Sequence, residues 1–271
     1  MLAEISQLLS YSFFVKALIV GSLVSLCAAL LGIILVLKQH SMIGDGLSHV
    51  GFGSLTIAMV LNLSPLLFSI PIMILTAFIL LRISENNKIR GDAAIALIAT
   101  SALAIGIIAA SLANGMNVNV NNYMFGSILA MSNADVYISV ILATVVLITF
   151  ICFYHKIFAI TFDENFSKAT GVKTELYNTL IAIIIAVIIV LAMNLVGTLL
   201  ISALLIFPAL SSMRVCKTYK MVVIISAIIS VLCATIGIII SILLATPIGS
   251  TIVVVNIIAF TICYIIGLVK K

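Results

Sequence analysis

Residues 13–37 read FFVKALIVGSLVSLCAALLGIILVL, and residues 38–52 continue KQHSMIGDGLSHVGF. The first run is long enough to cross a bilayer, which takes about 20 apolar residues. It breaks at Lys38-Gln-His-Ser41, and apolar sequence then resumes. Such alternation is the pattern of a polytopic membrane protein, and it recurs to the end of the chain. Asp45 and His49 stand four residues apart at the start of the second run, on one face if the run is helical. Ionisable groups at membrane depth are costly and mark functional sites by default. A carboxylate beside an imidazole is also a partial ligand set for a divalent transition metal.

Composition leads to the same class. The chain is 64% hydrophobic and 8% charged over 271 residues, with a mean hydropathy of +1.43. Soluble domains carry about 25% charged residues, so this chain cannot cover a water-facing surface. The net charge of +5 comes from short Lys/Arg clusters between apolar runs, which read as topology signals and not as a nucleic-acid footprint. No cleavable signal peptide is expected, because Glu4 replaces a basic leader and the first apolar run is long enough to span. Cys27, Cys152, Cys216, Cys233 and Cys263 are scattered without a C-x-x-C pair and read as small apolar residues.

Cutting the runs at charges, prolines and asparagine clusters predicts an all-α bundle of about nine spans: 13–37, 46–62, 65–81, 93–113, 134–154, 176–194, 197–213, 220–244 and 250–268. A re-entrant kink at Asn62-Leu-Ser-Pro65 or at Asn194-Leu-Val-Gly197 would reduce the count to eight. No soluble segment of useful size remains, so residues 1–271 read as one transmembrane domain. The basic positions Lys38, Arg82/Lys88/Arg90, Lys156/Lys168/Lys173, Arg214/Lys217/Lys220 and Lys270/Lys271 place those loops in the cytoplasm. Nine spans then put the N-terminus outside, with Lys16 the one dissenting charge.

One cytoplasmic loop, Phe162-Asp-Glu-Asn-Phe-Ser-Lys-Ala-Thr-Gly-Val172, carries helix signals of its own. Acids open it, Lys168 lies toward its end and Gly171 stops it. Pattern alone favours an amphipathic connector; the length also suits a helix that docks on a cytoplasmic partner.

Other features weigh toward structure. Gly44, Gly46, Gly51 and Gly53, with Ser48, make a small-residue surface that lets helices approach closely. Next to Asp45 and His49 the same surface suits a lined pathway, and a local Asp–His hydrogen bond at the helix start is the structural alternative. Asp92 and Asp135 read as helix starts, Pro208 as a kink, and His40 and His155 as interfacial. Asn194 reads as a helix-to-helix hydrogen bond or a neutral oxygen ligand. The chain lacks H-E-x-x-H, G-x-S-x-G and G-x-x-x-x-G-K-[ST], so a zinc protease site, a hydrolase elbow and a Walker A loop are all excluded.

Four blocks in order resemble the membrane permeases of ABC-type zinc and manganese importers. They are Leu37 through His49, Tyr123-Met-Phe-Gly-Ser-Ile-Leu-Ala130, Thr161 through Val172 followed by Val196-Gly and Leu204-Leu-Ile-Phe-Pro-Ala209, and Thr246-Pro-Ile-Gly-Ser-Thr-Ile252. The resemblance implies a type II ABC importer-like permease in the bacterial plasma membrane, working as a homodimer. Its implied partners are a cytoplasmic ATPase that holds the ATP and an extracytoplasmic metal-binding protein. The chain itself would be a transport subunit, not an enzyme, and would bind no cofactor. Asp45 and His49 match the family's pathway residues, with Asn194, Ser48 and Thr100 as further lining candidates. Phe162, Asp163, Glu164, Phe166, Ala169 and Gly171 match the family's coupling helix. Departures are Ala99-Thr100-Ser101, where some zinc-type members carry histidine, and Asn194.

The expected cargo is zinc first and manganese second. An iron–siderophore or corrinoid permease and an ion-coupled secondary transporter are the alternatives. Ligation requires neutral imidazole, so uptake is expected to weaken in mild acid.

Overall fold

The structure is a computed structural model, and it describes residues 11–85, 91–112, 126, 133–198 and 201–269. Its elements are α1 (Ser12–Leu37), α2 (Ile43–Val60), α3 (Pro65–Glu85), α4 (Gly91–Leu112), α5 (Asn133–Cys152), α6 (Tyr154–Phe162), α7 (Glu164–Ala169), α8 (Thr174–Val196), α9 (Ile201–Val215), α10 (Tyr219–Leu244) and α11 (Ile248–Val269). Every regular element among the described residues is a helix, so the all-α expectation holds.

The helices start and stop for local reasons. Pro65 opens α3, where a missing N–H costs nothing. At the end of α1, Gln39 takes a left-handed conformation (φ 60°), its N–H bonding Val36 O and that of His40 bonding Leu35 O. This Schellman stop turns the chain sharply into α2. At Phe153 a 71° bend separates α5 from α6. The aromatic face of α6 then packs on Tyr219 at the start of α10, with the Phe158 and Tyr219 ring centres 4.8 Å apart.

α8 is the central post. Every side chain from Ile184 to Met193 is buried, as expected of a helix that is apolar all round. α4 and α11 lie at the periphery and turn Leu97, Ile108, Val254 and Ile262, each more than half exposed, outward. Lipid offers little hydrophobic drive for helix association, so close backbone packing has to supply it. A Cβ on Gly53 of α2 would lie 2.7 Å from the Ala102 carbonyl oxygen of α4, and one on Gly106 would lie 2.8 Å from the Gly53 Cα.

Six helices are long and apolar enough to cross a membrane, or seven if the bent α5–α6 pair counts as one span. The count of about nine is therefore not confirmed. α9 has 15 residues, roughly 22 Å of rise at about 1.5 Å each, against a hydrocarbon core of about 30 Å. α2 has 18 residues, and Asp45, His49 and its glycines dilute its apolar character. Pro208 sits inside α9, and the helix continues through it from Ile201 to Val215.

Candidate metal pathway and coupling segment

α2 carries the pair. Residues turn by about 100° each along a helix, so its face divides into sectors. Gly46 and Gly53 meet Ile95 and Ala102 of α4, while Gly44 and Gly51 meet Leu205 of α9 and Met193 of α8. Each of these glycines is occupied by a neighbour, so their role is close packing. Asp45 and His49 fall in the sector between the two packed sides.

There the Asp45 Oδ2 lies 3.7 Å from His49 Nε2, with the side chains 39% and 18% exposed. That gap is too long for a hydrogen bond, so the structural alternative of a pinning Asp–His bond is not formed. His49 Nδ1 is buried with no hydrogen-bond partner. Ser202 of α9 donates to Asp45 Oδ1 at 3.4 Å, a long contact that steadies the carboxylate without saturating it. Asp45 Oδ2 and His49 Nε2, 3.7 Å apart, are spaced as two ligands of one first-row ion would be, each at about 2.0–2.2 Å from it.

The other lining candidates stand differently. Ser48 is buried and its hydroxyl donates to the Asp45 carbonyl at 2.7 Å, folded back on its own helix. Thr100 is exposed on α4, and its hydroxyl bonds the Ala96 carbonyl at 2.8 Å, away from the pair. Asn194 lies in the last turn of α8, and its side chain lies outside the described residues, as does the Tyr123–Ala130 block except Gly126. Among the described residues no three His, Cys, Asp or Glu side chains converge on one point. Asp45 and His49 are thus a two-membered set, with Ser202 as a neighbour that the sequence reading missed. Ser202 is 157 residues from Asp45, and no local spacing announces it.

The coupling candidates fold as their signals require. Asp163 caps α7, accepting from the Phe166 N–H at 2.8 Å. Glu164 fills the first turn and pairs with Lys168 at 2.9 Å. Gly171 takes φ +81°, with Gly171 N–H on Lys168 O and Val172 N–H on Ser167 O. Phe162 ends α6, and Ala169 is the last residue of α7. Phe162 and Phe166 are 59% and 65% exposed.

Glu164 is also reached by Lys38 from the end of α1, Nζ to Oε2 at 3.5 Å, and by the Asn178 amide at 3.2 Å. Burial acts to raise the Glu164 carboxyl, but Lys168, Lys38 and Asn178 outweigh it and hold it below the ordinary glutamate range. His40, in the turn after Lys38, is pushed below the ordinary histidine value by burial and then by the Lys38 charge.

A bundle of apolar helices with a half-open carboxylate–imidazole pair and a separate aromatic-tipped helix is a membrane permease by architecture. The model described as "ABC 3 transport family" matches residues 10–267, and the chain belongs to that family. It is 29% identical over 263 residues to the manganese import system permease protein ScaB of Streptococcus gordonii, across 97% of this chain and 94% of that one. It is 28% identical over 238 residues to the high-affinity zinc uptake system membrane protein ZnuB of Haemophilus influenzae, across 88% and 91%. The solved structure of PsaBC from Streptococcus pneumoniae in complex with Fab superposes with a TM-score of 0.88 at 29% identity, covering 97% of this chain and 95% of that one. The chain is a multi-pass bacterial plasma-membrane protein of the metal ABC permease type, a transport subunit and not a catalytic one.

Proposed function

We propose that the chain imports a divalent first-row transition metal past Asp45 and His49, with manganese the first cargo and zinc the second. The observation that carries this reading is the unbonded pair itself: carboxylate and imidazole 3.7 Å apart, half open, with Asp45 steadied by Ser202. The carboxylate suits manganese, and the imidazole keeps zinc in play. This order reverses the one drawn from the signature alone, and the manganese named for ScaB supports the reversal. A site of few protein ligands suits transit, since an ion must bind well enough to enter and weakly enough to leave.

In the same reading α7 is the coupling helix for a cytoplasmic ATPase, and exposed Phe162 and Phe166 are its docking side chains. An extracytoplasmic metal-binding protein delivers the ion, and two copies of the chain form the path, which would bring two such pairs together.

The test is metal uptake by cells carrying Asp45→Ala or His49→Ala, with the amount of protein in the membrane measured. Loss of accumulation of one ion, with protein still inserted, supports the reading and names the ion. Uptake of every metal at the unmodified level overturns it.

A further inference from the structure

Lys38 is a lysine held at 13% side-chain exposure at the cytoplasmic end of α1. A cation that deep requires partners, and it has two from different elements. Its Nζ donates to Asn178 Oδ1 of α8 at 2.8 Å and lies 3.5 Å from Glu164 Oε2 of α7. Asn178 in turn donates to Glu164 Oε1 at 3.2 Å. Three elements therefore meet at one ammonium.

The chain between Lys38 and α2 is short and hydrogen-bonded. Residues 38–42 form a closed turn: Lys38 N–H bonds Ile34 O, His40 N–H bonds Leu35 O at 2.8 Å, and Ile43 N–H bonds His40 O at 3.0 Å. α2 begins at Ile43, and Asp45 falls in its first turn. This hydrogen-bonded turn is the direct chain path from the Lys38 end to the Asp45 end. α7, in contrast, is six residues long and too short to hold itself as a helix. Its place in the molecule depends on its cap and on the bonds that Glu164 makes.

We propose that Lys38 is the joint that carries movement of α7 to the Asp45–His49 end of α2. It is a positioning residue, and it does not touch the ion. The inference rests on the metal-import reading and on α7 as the ATPase-docking helix. A merely structural staple would hold the fold together and affect hydrolysis and transport alike. A joint, when cut, separates them.

The complex with its ATPase is reconstituted in liposomes, and uptake of radiolabelled manganese and ATP hydrolysis are measured on the same preparation. The variants are Lys38→Met, Lys38→Arg, Glu164→Gln and the Lys38→Met/Glu164→Gln double. Expected is a drop of about tenfold in ions moved per ATP for Lys38→Met, with hydrolysis within about threefold of the unmodified complex, and a fall in the same ratio for Glu164→Gln. Lys38→Arg restores most of the ratio, and the double variant is no worse than the worse single one. If Lys38→Met fails to insert, Glu164→Gln decides. An unchanged ratio overturns the joint, and so does a parallel fall of hydrolysis and uptake. An unmodified complex that carries no metal overturns the import reading together with the joint, whereas normal uptake beside an unaltered variant ratio overturns the joint alone.

Discussion

α2 and α7, the two helices with a proposed function, are held by opposite means. α2 is fixed by close packing: its glycines are filled by Ile95, Ala102, Met193 and Leu205, and its polar pair occupies the sector left between them. α7 is fixed by polar bonds at its ends: the Asp163 cap, the Glu164 pairs and the Gly171 stop. At Gly53 the packing meets backbone and leaves no room for an added atom, which fixes the face that carries Asp45 and His49. Polar anchoring tolerates small losses, and it leaves Phe166 pointing outward. On the proposed reading, the part that handles the ion is held by sterics, and the part offered to a partner is held by charge.

Substitutions can break this contrast. The largest effect is expected at Gly53→Val, where even the first added carbon would lie 2.7 Å from a backbone oxygen. Separating α2 from α4 should cost about 3 kcal/mol or more, read as loss of monodisperse protein on size exclusion in detergent. A variant that runs like the unmodified protein would show that α2 is not packing-limited.

At α7 the same kind of change should cost far less. Gly171→Ala meets no atom within 4 Å, so only the left-handed backbone is penalised, by about 1 kcal/mol. Asp163→Ala should cost about 1 kcal/mol through the lost cap. Both should insert normally and show faster amide exchange confined to residues 164–172; global loss of stability would erase the contrast.

The smallest effect is in pH. The Glu164 carboxyl is lowered in the folded chain, so its stabilising pairs are complete above the ordinary glutamate value and are lost only as pH falls through the lowered one. Exchange protection of α7 should hold through neutral and mildly acidic pH and decline only in stronger acid, below the ordinary glutamate range. A decline beginning near neutrality would assign its anchoring to some other group.

Legibility in the sequence follows the same division. The ends of α7 were readable because caps are local: Asp163, Lys168 and Gly171 lie within nine residues and act on their own turn. The Asp45–His49 face was readable from helical spacing. What escaped was tertiary. Ser202 reaches Asp45 across 157 positions, and Lys38 meets Asn178 across 140, so the lysine read as a topology signal alone. Span number escaped for a different reason, because polar residues in α2 and the shortness of α9 make apolar runs that do not each equal one crossing.

The contact between Gly53 and Gly106 has a consequence for motion. With the Gly53 and Gly106 backbones in close approach, the Phe52 ring beside them and the Ile95 side chain against Gly46, α2 and α4 are expected to move as one part. On the proposed reading that Asp45 lines the path, a shift that opens or closes it carries α4 as well, and α4 presents Leu97, Ile105 and Ile108 outward. If that surface meets lipid, each cycle moves it through the acyl chains, and uptake in liposomes is expected to slow as the bilayer is made more viscous.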